Sequence, residues 1–142
     1  AANQSGRVYA LNAATGETLW TASEGAFGPV WPVGGSVFLV SDQNRLIRLD
    51  ARDGSVIWAQ ELPLYTTARP RRQLGIYPQH GPVLAGGRLW VASGDGVLRG
   101  FDPASGASVA ELAIPGGAAS GPIAMGGALY VLSRSGALLA YR

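Results

Sequence analysis

The 142-residue sequence predicts an all-β fold built from four-stranded antiparallel units that repeat about every 40 residues. Three observations carry this prediction. Short apolar runs rich in β-branched and aromatic residues alternate with Gly-bearing turns, and no stretch shows a helical period. Similar segments begin with GPV or GPI at Gly28, Gly81 and Gly121. Units of this kind, which cannot bury their faces alone, are typical of the blades of a β-propeller.

Each element of the unit has its own signal. The Gly-Pro start predicts a short first strand, in which proline is tolerated where a ladder donor can be spared. The runs SVFLVS, RLWVAS and ALYVLS predict a second strand with most of its surface buried. A third strand follows and ends in a turn that contains Asn or Asp and then Gly, as a hairpin requires. The fourth strand begins after that turn.

The repeat predicts the organisation of the chain. The expected parts are a truncated blade at 1–27, a blade at 28–62, an inserted loop at 63–80, a blade at 81–112 and a truncated blade at 113–142. They amount to about three blade-equivalents of four strands each.

One phrase occurs twice: NAATGETLW occupies residues 12–20 and DARDGSVIW occupies residues 50–58. A weaker third copy has Ala110 where the others have tryptophan. We expect the tryptophan to close the fourth strand and to pack against the adjacent blade, because a large aromatic suits a seam between repeats. The alternative is that the tryptophan is a stacking platform for a ligand. The repeat positions are Gly16, Trp20, Gly54, Trp58 and Gly106.

The three copies, ALNAATGETLW, RLDARDGSVIW and the weaker GFDPASGASVA, resemble the tryptophan-docking repeat of pyrroloquinoline-quinone (PQQ)-type propellers. The resemblance implies a closed ring of about eight blades, so we expect this chain to be a fragment of a larger propeller. Two branches of the superfamily are relevant. One contains the quinoprotein alcohol and sugar dehydrogenases, which bind PQQ and calcium. The other is the non-catalytic BamB family of outer-membrane assembly lipoproteins.

Composition narrows the function classes. Without cysteine, the chain can form no disulfide, thiolate metal site or thiol nucleophile, and it lacks the cysteine ring that the dehydrogenases place against PQQ. The net charge of +2 is too small to indicate a nucleic-acid-binding protein. No apolar run approaches the ~18 residues of a membrane helix.

Few residues are candidates for catalysis or metal binding. Asp42, Asn44 and Asp95 lie in turns between the second and third strands, where Asp and Asn also serve as turn formers. His80 is the only histidine, so a metal site or a Ser/His/Asp triad has little to build on. We therefore expect no catalytic, cofactor or metal site, and binding of neither PQQ nor calcium.

The repeat is interrupted between residues 63 and 80, in a segment that we call the basic insert. The step from Gly16 to Gly54 is 38 residues, whereas the step from Gly54 to Gly106 is 52. The insert has three arginines and no acidic residue. A long loop on a rigid scaffold is often functional, and arginine beside tyrosine is typical of interfaces. We expect either a protein-binding loop or a solvated loop that aids solubility. The candidate binding residues are Tyr65, Arg69, Arg71, Arg72 and Tyr77.

Three functions remain open. The first is a BamB-like scaffold that assists the assembly of outer-membrane β-barrel proteins, and the alternatives are a piece of a quinoprotein dehydrogenase and a generic interaction module. The resemblance to BamB implies a periplasmic location, a lipid anchor ahead of this segment and binding to the central barrel-assembly subunit. Exposed blade faces predict that the segment on its own self-associates.

Overall fold

The computed structural model describes residues 1–3, 6–26, 28–69, 71 and 73–142, which form fourteen strands and no α-helix. The strands, in chain order, are β1 (Ala2–Asn3), β2 (Arg7–Leu11), β3 (Thr18–Ala22), β4 (Trp31–Val33), β5 (Ser36–Val40), β6 (Arg45–Asp50), β7 (Val56–Glu61), β8 (Gln79–Ala85), β9 (Arg88–Ser93), β10 (Val97–Phe101), β11 (Ser108–Ala113), β12 (Ile123–Met125), β13 (Ala128–Leu132) and β14 (Leu138–Tyr141).

The strands form four antiparallel sheets, and in each sheet every strand pairs with its neighbour in the sequence. The first sheet contains β1–β3, the second β4–β7, the third β8–β11 and the fourth β12–β14. The predicted all-β class with four-stranded antiparallel blades is confirmed. In the part of the chain that the structure describes, no helix has the length and hydrophobicity needed to cross a membrane.

Two of the first strands begin just after their Gly-Pro pair, β4 at Trp31 and β12 at Ile123. Gly28 and Pro29 thus precede β4. A second proline, Pro32, lies within β4 and is paired with Val37, as is possible in a strand at the edge of its sheet. In the third sheet Pro82 lies inside β8, but the pairing with β9 is interrupted between His80 and Val83. The strand thus accommodates a proline at a break in its register.

The hydrophobic core lies in the three seams between adjacent sheets. Alternate residues of β5 face opposite ways: Val37 and Leu39 pack against the first sheet, whereas Phe38 and Val40 pack against the third. All five residues of β5 are consequently buried, which explains the apolar run from Val37 to Val40. A third core joins the third and fourth sheets. Each seam buries faces that one sheet alone would leave in water.

The turn before the fourth strand has the same geometry in three sheets. Its glycine donates a backbone hydrogen bond to the Asn or Asp four residues earlier, as Gly54 does to Asp50 at 2.9 Å and Gly106 does to Asp102 at 2.8 Å. Gly16, Gly54 and Gly106 all have φ of +75°, a conformation that residues with a Cβ rarely adopt.

Trp20 and Trp58, which we call the docked tryptophans, each pack on the glycine turn of the next sheet. The Trp20 Nε1–H donates to the Ala51 carbonyl at 2.8 Å, and its ring covers Gly54 so closely that a Cβ there would lie 2.5 Å from Cε3. Trp58 is placed in the same way over Gly106, and its Nε1–H donates to the Pro103 carbonyl at 3.2 Å. The indole therefore links neighbouring sheets by both packing and a hydrogen bond.

The third seam uses a different arrangement. Ala110 occupies the position of the docked tryptophan, and Trp90 stands where the second sheet has Phe38. The Trp90 ring and the Ala110 methyl group both lie against Gly100, and the Trp90 Nε1–H donates to the Ala85 carbonyl at 3.1 Å. A large side chain on β9 thus accompanies a small one on β11, which keeps this seam filled.

Candidate protein-binding site in the basic insert

The basic insert connects β7 to β8 as a loop with two arms. The first arm leads away from β7 and includes residues 63–66, and the second leads to β8 and includes residues 75–78. The Thr66 N–H donates to the Gly75 carbonyl at 3.0 Å, and the Tyr77 N–H donates to the Leu64 carbonyl at 2.8 Å. Between these two bonds Tyr65 and Ile76 pair as an antiparallel bridge. The last two residues, 79 and 80, pair with β9 as the start of β8. The insert therefore projects as a hairpin whose base is continuous with two sheets.

The base of the insert is fixed by two amide side chains. Asn44, in the turn between β5 and β6, donates from Nδ2 to the Pro63 carbonyl at 3.0 Å and to the Tyr77 carbonyl at 2.9 Å. Gln79 donates from Nε2 to the same Pro63 carbonyl at 2.9 Å. The Asn44 side chain thus ties both arms to the second sheet, whereas the second arm reaches the third sheet through the backbone, by the Gly94 bond to Pro78 and the β8–β9 ladder.

The tip carries the positive charge. Arg69 and Arg71 are exposed, and within the described ranges neither guanidinium pairs with a carboxylate. Arg72 lies outside the described residues. Leu74, which the sequence did not single out, is 96% exposed at the same tip. The tip therefore offers cations beside an unburied apolar side chain, a combination suited to a protein surface.

The two tyrosines lie on different sides of the insert. Tyr65, 43% exposed, lines a shallow depression of about 500 Å³ together with Leu64 and Ile76. Tyr77 is half-buried and lines a groove of about 700 Å³ that runs toward the Gly-Pro segments of three sheets. The structure brings Tyr65 together with Ile76, and it does not bring the two tyrosine rings together.

Two of the candidates for catalysis or metal binding, Asn44 and Asp95, have side chains that bond to neighbouring groups. Burial opposes ionisation of Asp95, but hydrogen bonds from Arg99 and Ser93 outweigh it and hold the pKa of Asp95 below its usual value. The Asp95 Oδ2 lies 2.6 Å from the Arg99 Nη2. Asp42 has its backbone N–H bonded to the Gly25 carbonyl at 3.1 Å.

His80 is half-buried in the groove, and burial lowers its pKa, which favours the neutral imidazole. Among the residues that the structure describes, no three His, Asp or Glu side chains come together in a way that could hold a metal ion. Asp42 lies in the turn between β5 and β6, Asp95 in the turn between β9 and β10, and His80 within β8.

Comparison with known proteins shows similarity to BamB proteins. A family model described as outer membrane protein assembly factor BamB matches residues 1–60. The outer membrane protein assembly factor BamB of Shewanella oneidensis is 29% identical over 140 residues, which are 97% of this chain and 32% of that protein. The chain is thus similar in sequence to BamB proteins along nearly its whole length. It spans about a third of the length of the curated BamB proteins that it matches.

Solved structures show the same fold. The crystal structure of BamB from Moraxella catarrhalis superposes with a TM-score of 0.75 at 22% identity, covering 96% of this chain and 40% of that one. Quinohemoprotein alcohol dehydrogenase from Comamonas testosteroni superposes with a TM-score of 0.55 at 20% identity, covering 75% of this chain and 18% of the enzyme. The likeness to the dehydrogenase is one of fold, whereas the BamB likeness extends to the sequence.

Proposed function

We propose that this chain is part of a non-catalytic scaffold for the assembly of outer-membrane β-barrel proteins, and that the basic insert is its protein-binding site. The observation that carries the proposal is the insert itself. It interrupts an otherwise regular repeat and presents Arg69, Arg71 and Leu74 at an exposed tip. The similarity to BamB in the sequence supports the assembly role. It also supports a periplasmic location with a lipid tether to the outer membrane.

The central subunit of the barrel-assembly machinery is the proposed partner. Its contact surface should be acidic, because the insert contributes three positive charges and no negative one. It should also offer an apolar contact to Leu74, Tyr65 and Ile76, which are 96%, 43% and 51% exposed. Desolvated apolar and aromatic side chains at the centre of an interface usually dominate its affinity.

Replacing Arg69, Arg71 and Arg72 together with serine should weaken capture of this subunit and leave the fold intact, since exposed substitutions usually cost within about 0.5 kcal/mol. The measurement is co-purification of the full chain with the subunit from a cell envelope. The matched control replaces Arg88, Arg134 and Arg142 with serine, which removes the same charge from exposed positions outside the insert.

Salt and tyrosine variants separate the two kinds of contact. High salt should mimic the arginine change in the wild type, because screening acts on exposed charges. Tyr65→Ala should weaken capture at every salt concentration, and Tyr77→Ala tests the groove side of the insert. Equal recovery of the subunit by the wild type and the triple-arginine variant would contradict a binding role for the insert.

The outer face of the fourth sheet supports a second contact, between copies of this chain. In the second sheet the equivalent face, with Phe38, Val40 and Leu46, is buried against the third sheet. The fourth sheet instead exposes Ile123, Met125, Leu132 and Leu138. An apolar surface of this kind favours association. We therefore propose that the 142-residue chain on its own pairs through this face.

A further inference from the structure

Equivalent turns link β1 to β2, β5 to β6, β9 to β10 and β13 to β14, and near its end each has a described residue in the left-handed region. In three sheets this residue is glycine, namely Gly6, Gly96 and Gly136, with φ of +82°, +96° and +85°. In the second sheet it is Asn44, with φ of +54°. Glycine adopts this conformation at no steric cost, whereas any residue with a Cβ is disfavoured there. The turn itself therefore does not require the asparagine.

The backbone role of this position is shared between sheets. The Asn44 carbonyl accepts a hydrogen bond from the Leu62 N–H at 2.9 Å, and the Gly96 carbonyl accepts one from the Ile114 N–H at 2.7 Å. Leu62 and Ile114 both follow the fourth strand of their sheet. Glycine performs this backbone role as well as asparagine does, so the asparagine side chain must account for the difference.

Among the described residues, the hydrogen bonds that the Asn44 side-chain amide donates both go to the basic insert. Asn44 is 4% exposed, and its two Nδ2 hydrogens go to the Pro63 and Tyr77 carbonyls, one on each arm. The third sheet has Gly96 at this position, and the chain that follows its fourth strand is short, with β12 beginning at residue 123. The asparagine thus occurs in the sheet whose next connection is long, and it bonds both ends of that connection.

We propose that Asn44 is a positioning residue, whose amide holds the two arms of the basic insert together and sets the direction in which the tip meets its partner. This inference rests on the proposed function of the insert. Beyond Asn44, the arms are joined by the backbone bonds of Thr66 to Gly75 and Tyr77 to Leu64, and by the bond from the Gln79 Nε2 to the Pro63 carbonyl. Without the clamp, the tip would sample many directions, and binding would have to order it again.

Two variants of the full chain test the clamp. Asn44→Gly gives the turn the residue that the other three sheets use. Asn44→Asp keeps the size and the tolerance for positive φ, but its carboxylate is only an acceptor. In both variants the amide hydrogens of Thr66 and Tyr77 should exchange about tenfold faster or more, because two buried hydrogen bonds are lost. Trypsin should also cleave faster after Arg71.

The control is the exchange rate of the amide hydrogens in β5 and β6, which should equal that of the wild type. A general loss of structure would raise the exchange rate of these amides as well. Capture of the barrel-assembly subunit should fall in both variants. Wild-type protection of Thr66 and Tyr77 in Asn44→Asp would overturn the clamp. Faster exchange with undiminished capture would overturn the positioning role. Undiminished capture by the triple-arginine variant would overturn the proposed function instead. The exchange rates of the Asn44 variants would still decide whether Asn44 holds the arms together.

Discussion

Replacing Gly106 with alanine should destabilise the protein more than the same replacement at Gly16, although both glycines have φ of +75°. At Gly16 a Cβ would meet nothing within 4 Å, so the cost is that of the left-handed conformation, about 1–2 kcal/mol. At Gly106 a Cβ would lie 2.8 Å from the Trp58 Cε3. Overpacking of this kind adds about 1–3 kcal/mol.

The Trp58 ring has little room to give way. Its Nε1–H is bonded to Pro103, and its centroid lies 6.0 Å from that of Phe38, over which Arg48 is stacked at 5.9 Å. Trp58→Ala alone should cost about 2–4 kcal/mol, below the upper range for a fully buried tryptophan, because the ring is only partly covered.

The double variant isolates the contact between the ring and the turn. With Trp58 already alanine, Gly106→Ala should cost only about 1–2 kcal/mol, as at Gly16, which makes the coupling energy about 1–3 kcal/mol. The assay is guanidinium unfolding followed by circular dichroism, with the slopes compared among variants. Equal losses at Gly16 and Gly106, or the same loss at Gly106 with and without Trp58, would refute the docking geometry.

Two further predictions concern acid stability and association. Burial opposes ionisation of Asp95, but Arg99 and Ser93 hold its pKa below the usual 3.8, so its contribution to stability is present above about pH 4 and is lost as the pH falls further through the folded-state pKa. Asp95→Asn should flatten the pH dependence of unfolding below pH ~4, and a profile that overlays the wild type would contradict this. Light scattering of the 142-residue chain at high micromolar concentration should show a dimer, which Leu132→Lys with Leu138→Lys should dissociate; a monomeric wild type would speak against pairing through the fourth sheet.

The regular part of the fold was predictable because its signals are local. The spacing of the Gly-bearing turns, the alternation of apolar residues and the unbroken run SVFLVS each depend on neighbouring residues in the chain. A strand buried on both faces is mostly apolar, as β5 is from Val37 to Val40. The same signals place the insert, because an interruption of a period is visible in the sequence without any knowledge of contacts.

The sequence by itself thus determined the all-β class, the repeat and the location of the basic insert. Only the tertiary structure decided how the insert is held and what it presents. Asn44 is 33 residues from Tyr77 along the chain, yet the two share a hydrogen bond. Leu74 and Tyr77 belong to the same loop, yet Leu74 is exposed at the tip and Tyr77 lines a groove. Such outcomes depend on how separate sheets pack against each other, because burial and hydrogen bonding between distant residues arise only once the seams have formed.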